Sequence, residues 1–165
     1  MSIPNSCKYL ARWALDGTKW YDNQPDGVVY CGNFLYSYKG TMPSNTSINV
    51  KNGTVGISAS FWRQSNLVNI TFPDTLEYIP ESCFFNCSGL TSIQLPKNLK
   101  SIGTEAFSYC QNLKNITLPD NVEYIGALAF NATAWYNNQS DGLVYLNNWL
   151  ITLKGDTIKQ ANTIN

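Results

Sequence analysis

The sequence contains no histidine among its 165 residues, so it lacks the side chain that most often serves as a general base or a metal ligand. A Ser/His/Asp or Cys/His nucleophilic system cannot be assembled from such a chain. The 5 cysteines include no CxxC pair, which argues against a zinc site. We therefore expect a protein that is not an enzyme and that carries no metal and no other cofactor.

Charge of either sign is also scarce, and long apolar runs are missing. The 11 Lys and Arg residues balance the 11 Asp and Glu residues, so the formal net charge is zero. A chain without a basic stripe has nothing to neutralise a row of phosphates, so we expect no nucleic-acid partner. No run of about 18 apolar residues occurs, which predicts no membrane span. The first residues also lack the charged and apolar regions of a signal peptide.

What the chain does contain is a repeat of 23 residues. Its clearest copy spans Ser88–Gly103, the next spans Gln111–Gly126, and a third spans Ser65–Pro80. A unit of this length cannot bury an apolar face alone, so units of this kind stack into a solenoid. The sequence therefore predicts a β-rich solenoid in which short parallel strands stack at a 23-residue period.

Each repeat is predicted to contain two extended segments and a turn. Leu90, Ile93 and Leu95 are spaced to point inward from a short strand, and residues 99–102 form a second short extended segment. In residues 103–110 the apolar side chains have helical spacing, which predicts a short helical or 3₁₀ turn.

A longer repetition is superimposed on the short one. Residues 18–40 return as residues 133–155, an offset of 115 residues or five short periods. Each copy contains two apolar runs that are separated by Gly32-Asn33 or by Asn147-Asn148, residue pairs that tolerate the positive φ of a hairpin turn. The two copies are therefore predicted to be β-hairpin modules embedded in the solenoid.

The organisation that follows is a single array over residues 1–165, with regular repeats at residues 48–132. Met1 aligns with the middle of a repeat strand, and the chain stops at Ile164-Asn165, where the first copy continues into further repeats. No polar cap is visible at either end, although solenoids need one. We therefore expect the chain to be a fragment of a longer array.

The stretch from Leu90 to Leu113 reads Leu-x-x-Ile-x-Leu-Pro-x-x-Leu-x-x-Ile-Gly-x-x-Ala-Phe-x-x-Cys-x-x-Leu and resembles the BspA-like leucine-rich repeat family. The Trp-Tyr-x-Asn-Gln segment of the two modules resembles one that is interleaved with such repeats in bacterial members. The resemblance implies a leucine-rich-repeat solenoid on a secreted or cell-surface bacterial protein. It also implies a role in adhesion and protein binding.

The outward positions of the repeat strands are predicted to form a binding face. They are uncharged hydrogen-bonding side chains on what should be the concave sheet, the surface that solenoids use for partners. We expect this face to recognise a protein or a glycan. The alternative is that these side chains only solvate the sheet and bond to one another along the stack. The residues are Asn69, Ser92 and Asn115 in one row and Thr71, Gln94 and Thr117 in the next.

Two other functions stay open. The aromatic pairs Trp20-Tyr21 and Trp135-Tyr136 lie near Asp and Asn, an arrangement that can hold sugars, but a hairpin also needs such rings to pack on a solenoid. The second alternative is a structural spacer or stalk, because uncapped ends favour end-to-end self-association.

Cys87 and Cys110 lie one period apart, each three residues after a repeat phenylalanine. We expect both to be small buried fillers, a role that free cysteine serves well. Cysteines on stacked neighbouring coils could also reach disulfide distance.

Overall fold

A computed structural model describes residues 7, 9–58 and 60–155 of the chain. The predictions for Met1 and for Ile164-Asn165 lie outside these residues. The described part contains two short helices and twelve strands. In chain order they are α1 (Lys19–Asp22), β1 (Gly27–Cys31), β2 (Phe34–Lys39), β3 (Thr46–Asn49), β4 (Gly56–Ile57), β5 (Leu67–Thr71), β6 (Tyr78–Ile79), β7 (Ser92–Gln94), β8 (Ser101–Ile102), β9 (Asn115–Thr117), β10 (Tyr124–Ile125), α2 (Ala134–Asn137), β11 (Gly142–Leu146) and β12 (Trp149–Lys154).

The first extended segment of each repeat contributes to a parallel sheet with the order β3-β5-β7-β9, which we call the first sheet. Ile93 lies opposite Ile116, and Gln94 lies between Thr71 and Thr117. Each of these pairs is separated by 23 residues, so the predicted period is confirmed. The predicted solenoid is confirmed with it, because equivalent residues of successive repeats are stacked neighbours.

The second extended segment forms another parallel sheet, β6-β8-β10, with Tyr78, Ser101 and Tyr124 in one row. The coils approach very closely just after these strands. A Cβ atom placed on Gly126 would lie 2.3 Å from the backbone nitrogen of Thr104. The glycine that ends this segment is therefore required by the contact between coils.

The return segment at residues 103–110 is a run of turns, and no helix is assigned there. The N–H groups of Ala106, Ser108 and Cys110 donate to carbonyl oxygens three residues earlier, which is the 3₁₀ type of bond. The N–H groups of the residues between them donate instead to the next coil, as in the 2.8 Å bond from Phe107 to the Ala129 oxygen. The bonds within the coil reverse the direction of the chain, and the alternate bonds join the coil to its neighbour.

Left-handed residues recur at two positions of this turn, four residues apart. At the second position, Asn86, Tyr109 and Ala132 lie one period apart and have φ values of 55°, 61° and 54°. A residue with a Cβ atom is strained in this region by about 1–2 kcal/mol, whereas glycine is not.

Replacing Ala132 with Gly is therefore expected to raise the free energy of unfolding by about 0.5–1 kcal/mol, after the entropic cost of glycine is subtracted. Ala127, which is exposed and has no positive φ, is the matched control. Ala127→Gly is expected to lower the free energy of unfolding by about 0.5–1 kcal/mol. Urea unfolding of both variants measures the difference, and a loss of stability in both would contradict the strain at Ala132.

The core of the stack contains a column of phenylalanines at one repeat position. Phe61, Phe84, Phe107 and Phe130 are fully buried, and successive ring centroids are 5.7, 5.4 and 5.7 Å apart. The rings of the last three are nearly parallel, with interplanar angles of 5° and 3°. The rings of Phe84 and Phe107 therefore each pack on the coil before and on the coil after, which couples neighbouring repeats.

Cys87 and Cys110 lie beside this column, and both are fully buried. Their thiols are free, and they donate to the carbonyl oxygens of Phe61 and Phe84 at 3.0 and 3.1 Å. The predicted filler role is confirmed. The thiols bond to the backbone of the preceding coil and not to each other.

Both predicted hairpins are present. Hairpin 1 consists of β1 and β2 around Gly32-Asn33, and hairpin 2 consists of β11 and β12 around Asn147-Asn148. Each has a bulge at the equivalent place, before Tyr30 or before Tyr145. The two hairpins therefore share the bulged backbone conformation as well as the sequence pattern.

A lysine at the end of each hairpin holds the short helix that precedes it. Lys39 Nζ donates to carbonyl oxygens at the end of α1, and Lys154 Nζ does the same for α2. These helices have only four residues each, so their last carbonyls need a partner from outside the helix. The acceptors are Tyr21, Asp22 and Gln24 in the first module and Tyr136, Asn137 and Gln139 in the second.

Candidate functional site

The first sheet presents two rows of uncharged polar side chains, which we call the polar face. The predicted residues all lie on it, and the strands place them in register across neighbouring coils. Stacked strands are about 4.8 Å apart, and alternate residues along a strand are about 6.7 Å apart, so the face is a regular grid. One row contains Ser47, Asn69, Ser92 and Asn115, and the other contains Asn49, Thr71, Gln94 and Thr117.

Most of these side chains have no hydrogen-bond partner within the described part of the protein. Thr71 Oγ1 donates to Asn49 Oδ1 at 2.9 Å, and the other six side chains make no such bond there. Among the described residues, hydrogen bonding between side chains along the stack therefore occurs on this face only between Thr71 and Asn49. Donors and acceptors on the remainder of the face are free to meet a partner.

Four asparagines at the turns behave in the opposite way. Each of these four donates its side-chain amide to a backbone carbonyl of the preceding coil at 2.7–3.0 Å. These amides tie coils together and are unavailable to a ligand. They belong to Asn66, Asn98, Asn112 and Asn121.

An open depression of about 450 Å³ adjoins the polar face where β7 and β9 end. Gln94 and Thr117 form its polar side, and Leu95 and Leu118 form part of its apolar side. Lys97 is the one charged residue in its lining. The depression therefore combines an apolar wall with a single positive charge.

The polar face offers binding groups without a reactive centre. Its side chains are amides and hydroxyls, and the only charge that adjoins its depression is that of Lys97. Over residues 7, 9–58 and 60–155, no group of three or more His, Cys, Asp and Glu residues is placed to hold a metal ion. That the protein is not an enzyme stays a prediction.

No helix in the described part of the chain is long and apolar enough to cross a membrane.

The aromatic residues of the first module are engaged in packing. Tyr21 meets Tyr36 edge to face at 5.3 Å, and its hydroxyl is 3.0 Å from Ser37 Oγ. The ammonium group of Lys39 lies 5.7 Å from the centroid of the Tyr21 ring. Trp20 packs against the small core under hairpin 1. These contacts favour the packing role of the rings over a sugar platform.

The second module has a similar arrangement, but Trp135 packs against the large hydrophobic core of the solenoid. Trp135 packs edge to face on Phe130 at 6.1 Å, and the ammonium group of Lys154 lies 5.5 Å from the centroid of the Tyr136 ring. Trp135 also donates its backbone N–H to the oxygen of Leu113. The aromatic pair thus fastens the module to the preceding coil.

Sequence reasoning missed Ser47 and Asn49, which extend the polar face by one strand. They lie opposite Asn69 and Thr71 in the first sheet. The signal was present, because Ser47-Ile48-Asn49 has the same polar-Ile-polar pattern as Ser92-Ile93-Gln94. It was obscured because the repeat that contains β3 follows an inserted module and departs from the regular pattern.

The chain is similar to known leucine-rich repeat proteins. It resembles the crystal structure of a leucine-rich repeat protein of T. pallidum at 25% sequence identity and a TM-score of 0.48. That similarity covers 59% of this chain and 58% of the other one, so the chain matches less than two thirds of that protein. No curated protein matches the chain. The family model described as a BspA type leucine rich repeat region matches residues 34–140 in 6 copies, and the chain therefore belongs to this family.

Proposed function

We propose that this protein is a binding module of a cell-surface or secreted bacterial protein and that it recognises a protein partner through the polar face. Leucine-rich repeats are consistent with protein interaction in general, and this family is generally associated with the cell surface. The observation that carries the proposal is the set of six polar side chains on this face that have no partner among the described residues. Adhesion to host proteins is the role that fits such a module.

Rigidity is what the solenoid contributes to binding. The face lies on strands whose inward residues are almost fully buried, such as Ile70 and Ile93, so the backbone beneath the grid cannot rearrange cheaply. A preorganised surface loses little conformational entropy when a partner binds. The partner can add its own polar backbone or side chains to a grid that is already in place.

Lysine substitutions on the polar face should weaken binding strongly. We expect the full chain to bind one or more members of a panel of purified extracellular-matrix proteins. The triple variant Asn69→Lys, Ser92→Lys and Asn115→Lys is expected to weaken that binding at least about 100-fold, because three bulky charges replace the central row. Biolayer interferometry measures the affinities, and a glycan array run in parallel tests the sugar alternative.

A matched control separates the site from the added charge. Asn52, Gln111 and Asn137 are exposed and lie off the first sheet, so three lysines there add the same charge elsewhere. Binding that survives in this control and fails in the polar-face variant supports the proposal. Equal loss in both variants, or unchanged affinity in the polar-face variant, would remove the polar face as the site. Binding to glycans alone would favour a carbohydrate partner.

A further inference from the structure

The chain contains one Asn-Gly pair, Asn52-Gly53, at the corner between β3 and β4. Both residues are exposed. They are the central residues of a β-turn, which the N–H of Thr54 closes by donating to the oxygen of Lys51 at 3.2 Å. Gly53 has a φ of 81°, a value that the third residue of a type II turn requires. The pair therefore lies at the tip of a turn, in contact with solvent.

The groups of this pair that can react with each other are unrestrained. The side-chain amide of Asn52 and the backbone N–H of Gly53 make no hydrogen bond to a described residue. A Cβ atom placed on Gly53 would meet nothing within 4 Å, so the space beside its backbone nitrogen is open. Glycine has no side chain of its own, and nothing therefore hinders the approach of this nitrogen to the amide carbon of Asn52.

The fold restrains the residues that could undergo a related ring closure. Aspartate before glycine also cyclises, and three such pairs occur in the sequence. One of these carboxylates accepts a hydrogen bond from the hydroxyl of Tyr36 at 2.5 Å. The other two pack so closely against Gly40 and Gly155 that a Cβ atom there would lie 2.5 and 2.4 Å from the carboxyl carbon. Contacts within the fold thus hold these carboxyl groups in place, whereas no described residue holds the amide of Asn52. The three aspartates are Asp16, Asp26 and Asp141.

Other asparagines lack either the free amide or the glycine. Asn66 and Asn112 donate their amides to the preceding coil. The amides of Asn69 and Asn115 bond to no described residue, but isoleucine follows each of them, and its branched side chain crowds the backbone nitrogen. Asn52 combines an unrestrained amide with a following glycine.

We propose that Asn52 is a site of spontaneous deamidation. The backbone nitrogen of Gly53 attacks the side-chain amide carbon of Asn52, and the amide group leaves as ammonia together with the proton of the backbone N–H. The product is a cyclic imide. Water then adds to one of the two imide carbonyls, and opening of the ring gives either aspartate or isoaspartate. Water is the only co-reactant, and asparagine is known as a thermolabile residue for this reason.

The reaction changes the charge where hairpin 1 meets the coil. Either product places a carboxylate next to Lys51 and lowers the formal net charge of the chain from zero by one unit. The ammonium group of Lys51 lies 4.2 Å from the centroid of the Tyr30 ring, and the backbone N–H of Lys51 donates to the Tyr30 hydroxyl. The modified corner lies off the polar face, so this inference is independent of the proposed binding function.

Incubation of the folded full chain at mildly alkaline pH tests the proposal. Peptide mapping by mass spectrometry is expected to find conversion at Asn52 before any other asparagine, as a mixture of aspartate and isoaspartate. In heavy-oxygen water each product should take up one labelled oxygen. Isoelectric focusing should show an acidic species that differs by one charge. Aspartate without isoaspartate would indicate direct hydrolysis of the amide and would overturn the attack by Gly53.

Two variants and a matched control locate the reaction. Asn52→Gln should remove the acidic species, because glutamine closes the larger ring far more slowly. Gly53→Asn should slow its formation, because asparagine tolerates the positive φ but adds a side chain beside the nitrogen. Asn138 is exposed and precedes Gln139, so Asn138→Gln should leave the acidic species unchanged.

Thermal unfolding confirms that each variant is folded, and a synthetic peptide of residues 47–57 sets the reference rate. Conversion of Asn52 in the folded chain supports the proposal, even where it is slower than in the peptide. An intact Asn52 after the peptide has converted completely overturns it, as does an acidic species that persists in Asn52→Gln.

Discussion

Replacing Phe107 with Ala is expected to lower the free energy of unfolding by about 3–5 kcal/mol. Phe107 is fully buried, and its ring stacks on Phe84 at 5.4 Å and on Phe130 at 5.7 Å. Truncation therefore leaves a cavity that opens to two neighbouring coils at once. Because stacked repeats depend on contacts with their neighbours, the loss is expected to weaken both interfaces.

Urea unfolding followed by circular dichroism measures this loss. Phe107→Leu keeps most of the volume and is expected to cost less than Phe107→Ala, by about 1–2 kcal/mol or more. Tyr124→Ala is the surface control, since Tyr124 is 55% exposed, and it is expected to change stability by less than about 1 kcal/mol. A Phe107→Ala variant as stable as the Tyr124→Ala variant would contradict the stacked column.

Raising the pH from about 7 to about 10 in the presence of a reductant is expected to lower the free energy of unfolding by about 4–6 kcal/mol. Burial raises the pKa of the Cys87 thiol to about 12 and raises the pKa values of Cys83 and Cys110 as well. In the unfolded chain these thiols ionise near their ordinary pKa, whereas in the folded protein they stay protonated. The stability that they contribute is full below the unfolded pKa and is lost as the pH rises towards the folded pKa.

Denaturant titrations at the two pH values measure this difference. Burial also raises the pKa of Tyr36, so its phenol acts in the same direction. Cys110→Ala lowers stability at pH 7 by leaving a small cavity, but it is expected to reduce the pH-dependent loss by about one quarter to one third, because burial also raises the pKa of the Cys31 thiol. Val122→Ala is the control, since it leaves a cavity at a buried site without removing a titratable group and should leave that loss unchanged. A loss unaltered by Cys110→Ala would show that the buried thiols do not cause it.

The 23-residue period accounts for the part of the fold that was predictable. Once Ile93 and Ile116 are known to be equivalent, their burial, their register and the outward position of Ser92 and Asn115 follow from strand geometry alone. The polar face was predicted for this reason. The duplication of the hairpins was predicted in the same way, because a repeated stretch of sequence repeats its structure.

The return segment could not be predicted as closely. Ala106, Phe107 and Cys110 have the spacing of a short helix, but the same spacing fits a run of turns whose alternate N–H groups bond to the next coil. Tyr109 has a left-handed backbone conformation that tyrosine rarely adopts, so its residue type does not predict it. Contacts with the neighbouring coil decide this conformation, and they lie outside the local sequence.

The direction of the hydrogen bonds between coils has a mechanical consequence. The bonds of both parallel sheets, and those bonds of the return turns that join coils, such as Phe107 to Ala129, run along the stacking axis. Tension along that axis therefore loads the bonds of one coil boundary together and releases the coils one after another, beginning at an end. Each released coil adds about 75–80 Å of extended chain. A module of this kind lengthens in steps under load.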